Sequence, residues 1–366
     1  MRLNLLLFGA LIITAPVSGQ NRNLFEFWDK NKDGKLSKEE LPRPAQRNFE
    51  RVDQDGDGFI SKREDAAFRN RGGGIPQRSP LSAGVKKLAD LDYAGNDNPK
   101  QKLDLYLPAK PLSDGPLPVV CWIHGGGWKN GDKANARKVF SYPAGGKYAA
   151  ASIGYRLSGE AQWPSQIQDC KAAIRFLKAN AEKYNLDPDR IAVWGSSAGG
   201  HLVAMLGVSD GVAHLEGDTG PNDDQNSKVA CVVDYYGPTE LLLMNKNGST
   251  MDHDSPNSPE SLLVGGPIQE NSEKTRDASP VHHVTKDDSP VLLVHGTDDP
   301  LVPYQQSVVF EKSLENAGVA ATLVTIEKAG HGKGFPARAD EIVRQFLDFH
   351  LLKQGEAPVD QTLGSQ

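Results

Sequence analysis

The sequence predicts a doubly wound α/β domain with a mostly parallel sheet, preceded by a small α-helical module. Two observations indicate this arrangement. Apolar runs alternate with segments of helical spacing from residue 85 onward, and an aspartate-rich loop of twelve residues occurs twice before residue 65. A Gly-, Pro- and Ser-rich stretch at 71–84 lies between the two regions and predicts a linker. A chain of 366 residues is long enough for both units.

The first nineteen residues have the order of a secretory signal. Arg2 precedes an apolar stretch at 5–13, and Pro16 and small residues lead to Gly19. The apolar stretch is too short to span a bilayer. We expect residues 1–19 to be removed and the mature protein to be secreted or periplasmic, without stable membrane insertion. The alternative is an uncleaved membrane anchor.

Composition excludes some classes of partner. The chain has 24% charged residues and a formal net charge of −6, which does not favour binding to nucleic acid. Three cysteines are too few for a disulfide-stapled scaffold. Cys121, Cys170 and Cys231 lie in apolar segments and are expected to be buried thiols.

The two loops of the predicted module at 20–70 have the spacing of calcium-binding loops. They read DKNKDGKLSKEE from Asp29 and DQDGDGFISKRE from Asp53. Each has oxygen-bearing residues at positions one, three, five, nine and twelve, glycine at six, and an apolar residue at eight, Leu36 or Ile60, which should pair across the loops. The candidate calcium ligands, with position seven included, are Asp29, Asn31, Asp33, Lys35, Ser37, Glu40, Asp53, Asp55, Asp57, Phe59, Ser61 and Glu64.

The segment from Leu24 to Phe68 therefore resembles the EF-hand family, which implies a structural role for Ca²⁺. A single loop of this kind is also compatible with a simple Asp-rich turn. Pro42 and Pro44 follow the first loop, so its exiting helix should be very short, which argues against a sensor-type opening. Four lysines crowd the first loop, so the second should bind calcium more tightly.

The larger domain is predicted to span 85–353, followed by a polar tail at 354–366. Helical spacing indicates amphipathic helices around Ile167 to Leu177 and near Leu202, Val308 and Ile342. Apolar runs predict strands at 102–107, 119–123, 149–155, 191–194, 229–235, 291–294 and 323–326.

Two glycine-rich motifs follow predicted strands. The sequence from Gly195 to Gly199 is a G-x-S-x-G centred on Ser197, as at a turn where a strand passes abruptly into a helix and exposes a nucleophile. The second motif, HGGGW, begins at His124. The backbone amides of Gly126, Gly127 and Ala198 are the candidate donors to an oxyanion. Either motif alone is compatible with an ordinary glycine turn.

A nucleophilic serine requires a base and an orienting acid. Of nine histidines, His331 follows the last predicted strand, whereas His201 lies in the helix after Ser197. The preceding strand end carries two adjacent aspartates, Asp298 and Asp299. Serine, acid and histidine would then follow the chain order of α/β-hydrolases.

Val85 to about Leu352 resembles the α/β-hydrolase superfamily, in particular the esterase/lipase group with HGGGW and GxSAGGHL motifs that includes bacterial acetyl xylan and feruloyl esterases. The supporting motifs are HGGGWKNGD, YRLS, GSSAGGHL, HGTDDPLVP and the final GHG. The family pattern HGxxDxxVP assigns the acid to Asp299. The resemblance implies acyl-ester hydrolysis by Ser197, His331 and Asp299, with no cofactor for the chemistry.

The sequence defines the substrate less narrowly than it defines the reaction. Trp128, Tyr155 and Trp163 lie near predicted strand ends and can either line an acyl or sugar pocket or simply pack. Polar stretches at 209–227 and 245–266 should rim the site; they contain no long amphipathic lid helix, which disfavours long-chain lipids. We expect acetyl or feruloyl esters of polysaccharide, or smaller esters. The alternatives are a prolyl-oligopeptidase-like peptidase, an arylformamidase and a calcium-binding adhesion or scaffold protein.

Overall fold

The computed structural model describes residues 24–46, 49–53, 57–68, 84–136 and 138–366. The predicted signal at 1–19, the candidate ligand Asp55 and most of the predicted linker, 71–83, lie outside these residues. The chain divides into two compact units, Met1–Pro80 and Leu81–Gln366.

The first unit contains short helices and a two-stranded antiparallel sheet. Leu36 pairs with Ile60, as the spacing of the two loops predicts, and both side chains are buried with Phe25 and Phe49. After the first loop, the described helical residues are Arg43–Gln46, followed by positions 47–48 outside the described residues. The elements are α1 (Leu24–Trp28), β1 (Lys35–Leu36), α2 (Arg43–Gln46), α3 (Phe49–Val52), β2 (Ile60–Ser61) and α4 (Lys62–Phe68).

The second unit is built on a nine-stranded sheet. Its strands are β3 (Val85–Asp92), β4 (Lys102–Pro108), β5 (Leu117–Ile123), β6 (Ala149–Ile153), β7 (Leu186–Ser196), β8 (Cys231–Tyr235), β9 (Val291–Gly296), β10 (Ala321–Glu327) and β11 (Gln361–Gly364). Its helices are α5 (Ser165–Ala179), α6 (Ala181–Tyr184), α7 (Ala198–Val208), α8 (Ala213–Glu216), α9 (Pro259–Val264), α10 (Ser272–Asp277), α11 (Gln305–Ala317) and α12 (Ala337–Leu352).

The strand order is β11-β10-β9-β8-β7-β5-β6-β4-β3. The β3–β4 and β4–β6 pairs are antiparallel and the other pairs of this sheet are parallel, so β4 runs opposite to the other strands. Both faces are covered: Val119 and Cys121 of β5 belong to the core beneath α5, α7 and α11, whereas Val120 and Trp122 belong to the core beneath α12. This confirms the predicted doubly wound, mostly parallel α/β fold.

The two edge strands were not expected. The charged sequence of β3 leaves it mostly half-buried, and the residues assigned to a polar tail instead contribute β11, which pairs with β10 from Val324 and Gln361 onward. An edge strand contacts one neighbour and can be polar on both faces, so hydrophobic periodicity does not reveal it. Among the helices of the described residues, none combines the length and apolarity that crossing a bilayer requires.

Candidate active site

Ser197 lies in the sharp turn between β7 and α7. Its backbone has φ 57° and ψ −125°, a strained conformation for a residue with a side chain. The flanking glycines are sterically required, because a Cβ at Gly195 would collide with the carbonyl of Gly199, and a Cβ at Gly199 would collide with the carbonyl of Ile123. The G-x-S-x-G sequence thus places Ser197 at the carboxyl end of a central strand.

Three backbone amides lie at the same end of the sheet. Gly126 and Gly127 follow β5 with φ of 119° and 58°, and Ala198 begins α7. Across the described part of the chain, the N–H groups of these three residues donate to no protein acceptor. Together with Ser197 they line one cavity. Free, preoriented amides of this kind can stabilise a negatively charged oxygen.

His331 and Asp299 are joined by a short hydrogen bond. His331 Nδ1 lies 2.7 Å from Asp299 Oδ2, and Asp299 Oδ1 accepts the N–H groups of Leu301 at 2.9 Å and Val302 at 3.0 Å. Burial on its own would raise the pKa of Asp299, but contacts with the imidazoles of His295 and His331 and with the Leu301 amide hold that pKa well below its usual range. Asp299 is therefore ionised and can fix the tautomer of His331.

The competing side chains have other partners. Asp298 is exposed and accepts a hydrogen bond from Thr297 Oγ1 at 3.0 Å. His201 is buried, with Nε2 at 2.6 Å from the carbonyl oxygen of Ala278. Of the two adjacent aspartates, Asp299 is therefore the one that contacts His331.

The cavity that contains Ser197 and His331 has a volume of about 580 Å³. Of the three aromatic residues that the sequence left as either pocket or packing residues, Trp128 lines this cavity, whereas Tyr155 and Trp163 pack in the core. The Tyr155 ring stacks on His124 with centroids 4.3 Å apart and its hydroxyl donates to the His124 carbonyl, and Trp163 Nε1 donates to Asp277. Neither side chain is among those that line the cavity.

Only one of the two polar stretches expected to rim the site does so. Residues of 245–266 contribute to the cavity wall. The stretch 209–227 packs against α5 instead, because Glu216 forms ion pairs with Lys171 at 2.7 Å and Arg175 at 3.0 Å. A buried cation needs such a partner.

Sequence reasoning missed Tyr236, which lines the cavity directly after β8. Its ring centroid lies 4.6 Å from that of His331, and burial raises the pKa of its hydroxyl to about 12. It is therefore neutral and packs against the imidazole. Its position directly after a predicted strand is the signal that could have identified it.

Asp234, at the end of β8, is a buried carboxyl group beside the first turn of α7. Its Oδ1 accepts the Gly237 N–H at 2.8 Å, while Oδ2 has no hydrogen-bond partner within the described residues. A Cβ at Gly200 would collide with Oδ1, so glycine is required there. Burial raises the pKa of Asp234 to about 7.

This shift has a consequence for stability. Between pH 4 and pH 7 the folded chain holds a proton on Asp234 that the unfolded chain has lost, so the free energy of unfolding decreases as pH rises through this window. We expect Asp234→Asn to remove this dependence. Its free energy of unfolding at pH 8, relative to the value at pH 5, should then exceed that of the wild type by at most about 4 kcal/mol. Urea unfolding at pH 5 and pH 8 measures it, with exposed Asp114→Asn as the control. Equal pH dependence in both variants would contradict this assignment.

The first calcium-type loop holds its carboxylates against its own backbone. Asp29 accepts the N–H groups of Asp33 and Gly34, and Glu40 accepts those of Lys30, Asn31 and Ser37. The Ser37 N–H is the largest cause of the lowered pKa of Glu40.

In the second loop, Asp53 accepts the Gly58 N–H at 3.0 Å and Ser61 donates to Glu64. Lys35 forms an ion pair with Asp57 at 2.9 Å. Over the residues that the structure describes, no group of three or more acidic, His or Cys side chains is arranged to hold a metal ion. The donors are nevertheless the hard oxygens that Ca²⁺ prefers, held within single loops.

Comparison with known families agrees with this geometry. The BD-FAE family model matches residues 103–314, a model described as TAP-like protein matches 270–362, and an EF-hand model matches 22–43 and 47–64. The predicted resemblances to α/β-hydrolase esterases and to EF-hands are thus confirmed.

Individual relatives are also esterases by name. Esterase LipC of Mycobacterium tuberculosis is 32% identical over 271 residues, which cover 71% of this chain and 64% of LipC. LipM of the same organism, a probable carboxylic ester hydrolase, is 32% identical over 226 residues, 62% of this chain and 51% of LipM. The chain therefore spans between half and two-thirds of the length of these two relatives.

A solved structure described as a truncated form of a carbohydrate esterase from gut microbiota is 33% identical, with a TM-score of 0.67, and the match covers 73% of this chain and 96% of that one. Since the BD-FAE model alone matches more than half of the residues, the chain belongs to the BD-FAE family of the α/β-hydrolase superfamily, with an EF-hand pair at its N-terminal side.

Proposed function

We propose that the protein is a secreted or periplasmic serine carboxylesterase that hydrolyses short-chain or aromatic acyl esters, in particular acetyl or feruloyl groups on polysaccharide. One observation carries this proposal. A single cavity holds Ser197 on its strained turn, three unpaired amides, and His331 hydrogen-bonded to an ionised Asp299. This combination supplies a nucleophile, a base and an oxyanion site.

The reaction follows from these positions. Ser197 Oγ attacks the ester carbonyl carbon while His331 Nε2 takes the hydroxyl proton. The amides of Gly126, Gly127 and Ala198 donate hydrogen bonds to the oxyanion of the tetrahedral intermediate. As the intermediate collapses, the C–O bond breaks, and His331 returns the proton to the departing alcohol. Water, activated by the same imidazole, then hydrolyses the acyl-enzyme.

The choice of substrate rests on the cavity and on similarity to carbohydrate esterases. The cavity wall combines aromatic and polar side chains, which suits a sugar more than a long acyl chain. Fluorophosphonate labelling separates an enzyme from an adhesion or scaffold protein. Initial rates on acetylated xylan, feruloylated arabinoxylan, p-nitrophenyl esters, aminoacyl amides and N-formylkynurenine separate the esterase from the peptidase and arylformamidase alternatives.

We also propose that the EF-hand loops bind Ca²⁺ in a structural role, apart from the chemistry. Calcium that binds only the folded loops should raise the melting temperature of the first unit, and EDTA should lower it. Glu40→Gln should weaken this response, whereas Glu39→Gln should retain it, because Glu39 is exposed at position eleven. Calorimetry with and without Ca²⁺ measures the melting temperature of both variants. A concentration of about 1 mM is suitable, since it is on the order of the dissociation constant of a weak EF-hand.

The same proposal separates calcium from turnover. A chain beginning at Leu81 contains the whole second unit and should keep most of its activity on p-nitrophenyl acetate. Loss of small-ester turnover in calcium-free buffer, restored by adding the ion, would contradict this separation.

A further inference from the structure

A buried histidine–glutamate pair lies in the wall of the active-site cavity, outside the groups that perform the chemistry. His253 Nδ1 is 3.0 Å from Glu260 Oε2, and the two side chains are 2% and 4% exposed. Both residues line the cavity that contains Ser197 and His331. Burying two ionisable groups beside a reactive serine is costly, so their presence needs a reason.

The surroundings of His253 indicate that its ring carries both protons. Nε2 lies 3.0 Å from the carbonyl oxygen of Leu301, which can only accept a hydrogen bond, and Nδ1 faces the Glu260 carboxylate. Ser249 Oγ also lies 2.9 Å from Nε2, but its own proton is directed to the carbonyl oxygens of Pro300 and Leu301, so it can accept from the ring. Burial on its own would lower the pKa of His253, but the contact with Glu260 outweighs it, so the pKa is raised. With acceptors facing both ring nitrogens, the geometry is that of an imidazolium beside a carboxylate, a pair with no net charge.

The Glu260 carboxylate has unused hydrogen-bonding capacity. A carboxylate has about four acceptor positions. Although His253 is within ion-pair distance, neither Oε2 nor His253 Nδ1 makes an aligned hydrogen bond, and no other residue of the described chain donates to this carboxylate. His253 is thus the single charged neighbour of a carboxylate whose remaining acceptor positions are unfilled within the described residues, and a bound ligand with a hydroxyl group would fill one of them.

We propose that Glu260 determines specificity by accepting a hydrogen bond from a hydroxyl group on the alcohol half of the ester, and so selects esters of polyhydroxy alcohols such as sugars. The inference rests on the proposed ester hydrolysis at Ser197. An acetyl group has no hydrogen-bond donor, so with an acetate ester the donor must belong to the alcohol. A positively charged amine on the alcohol should gain little binding free energy at this position, because His253 already neutralises the charge of Glu260.

Two matched acetates test the inference on the wild-type protein. The monoacetate of cyclohexane-1,2-diol and cyclohexyl acetate differ by one hydroxyl group. We expect kcat/KM to be about 10- to 100-fold higher for the diol ester, mainly through KM, as for a hydrogen bond to a charged acceptor. The 2-(dimethylamino)cyclohexyl ester should show no such gain; preference for this cation would overturn the neutral-pair argument.

Glu260→Gln should reduce the ratio of the two kcat/KM values at least tenfold. Glu270→Gln is the control, because Glu270 is exposed outside the cavity and should keep the wild-type ratio. If Glu260→Gln does not fold, the comparison of the two acetates on the wild-type protein still tests the inference. An unchanged ratio in the folded variant, or no wild-type preference, would overturn the inference while leaving ester hydrolysis intact. Failure to hydrolyse cyclohexyl acetate and p-nitrophenyl acetate alike would instead contradict the proposed function.

Discussion

Ser197→Ala is expected to lower kcat/KM for p-nitrophenyl acetate by about 10⁵- to 10⁶-fold, the loss seen when a triad nucleophile is removed. The change deletes the only atom that forms the acyl-enzyme. The fold should be retained, because the strained turn is set by the neighbouring glycines and Ala keeps the Cβ at this position. Turnover and covalent labelling by a fluorophosphonate measure the effect, and circular dichroism checks the fold.

Ser196→Ala is the matched control for this experiment. Ser196 ends β7 and pairs with Tyr235 of β8 through the backbone. It lines the same cavity, but its hydroxyl interacts with the Tyr236 hydroxyl instead of lying on the strained turn at Ser197. We expect a loss of less than about tenfold, as for a lost neutral hydrogen bond. Wild-type turnover in the Ser197 variant, or a larger loss in the Ser196 variant, would refute the mechanism.

Much of the candidate site could be predicted because its residues belong to short motifs at the carboxyl ends of strands. The sequence around Ser197 specifies a turn that only glycine neighbours permit, and parallel strands bring all such ends to one edge of the sheet. His331 and Asp299 therefore meet although 32 positions separate them. Local sequence and sheet topology bring the candidates to one edge, whereas the choice of Asp299 over Asp298 came from the family pattern HGxxDxxVP.

The rest depends on contacts that no local pattern encodes. Trp163 was a pocket candidate because it lies near a predicted strand end, but its indole N–H donates to Asp277, over 100 positions away. Conversely, His253 and Glu260 lie in a polar stretch with no recognisable motif, and only its folding against Leu301 brings them to the cavity. Whether an aromatic or charged side chain lines a cavity or the core is decided by such distant partners.

The assignment of Asp299 gives the second large effect. Asp299→Asn should lower turnover of p-nitrophenyl acetate by about 10⁴-fold. The carbonyl oxygen of the new amide should remain with the N–H groups of Leu301 and Val302, which bind Oδ1 in the native protein, so the amide NH₂ would face His331. Nδ1 must then accept rather than donate, which moves the ring proton to Nε2 and removes the base that Ser197 requires.

Asp298→Asn, the adjacent isosteric change, should lose less than about tenfold, since it replaces an exposed side chain bonded to Thr297. Steady-state turnover of both variants, with melting temperatures to confirm that each is folded, distinguishes the two carboxylates. The contrast is informative because the substitutions are chemically identical and one position apart, and of the two side chains Asp299 is the one in contact with His331. A greater loss at Asp298 would transfer the orienting role to that residue and require a different arrangement of the loop that follows β9.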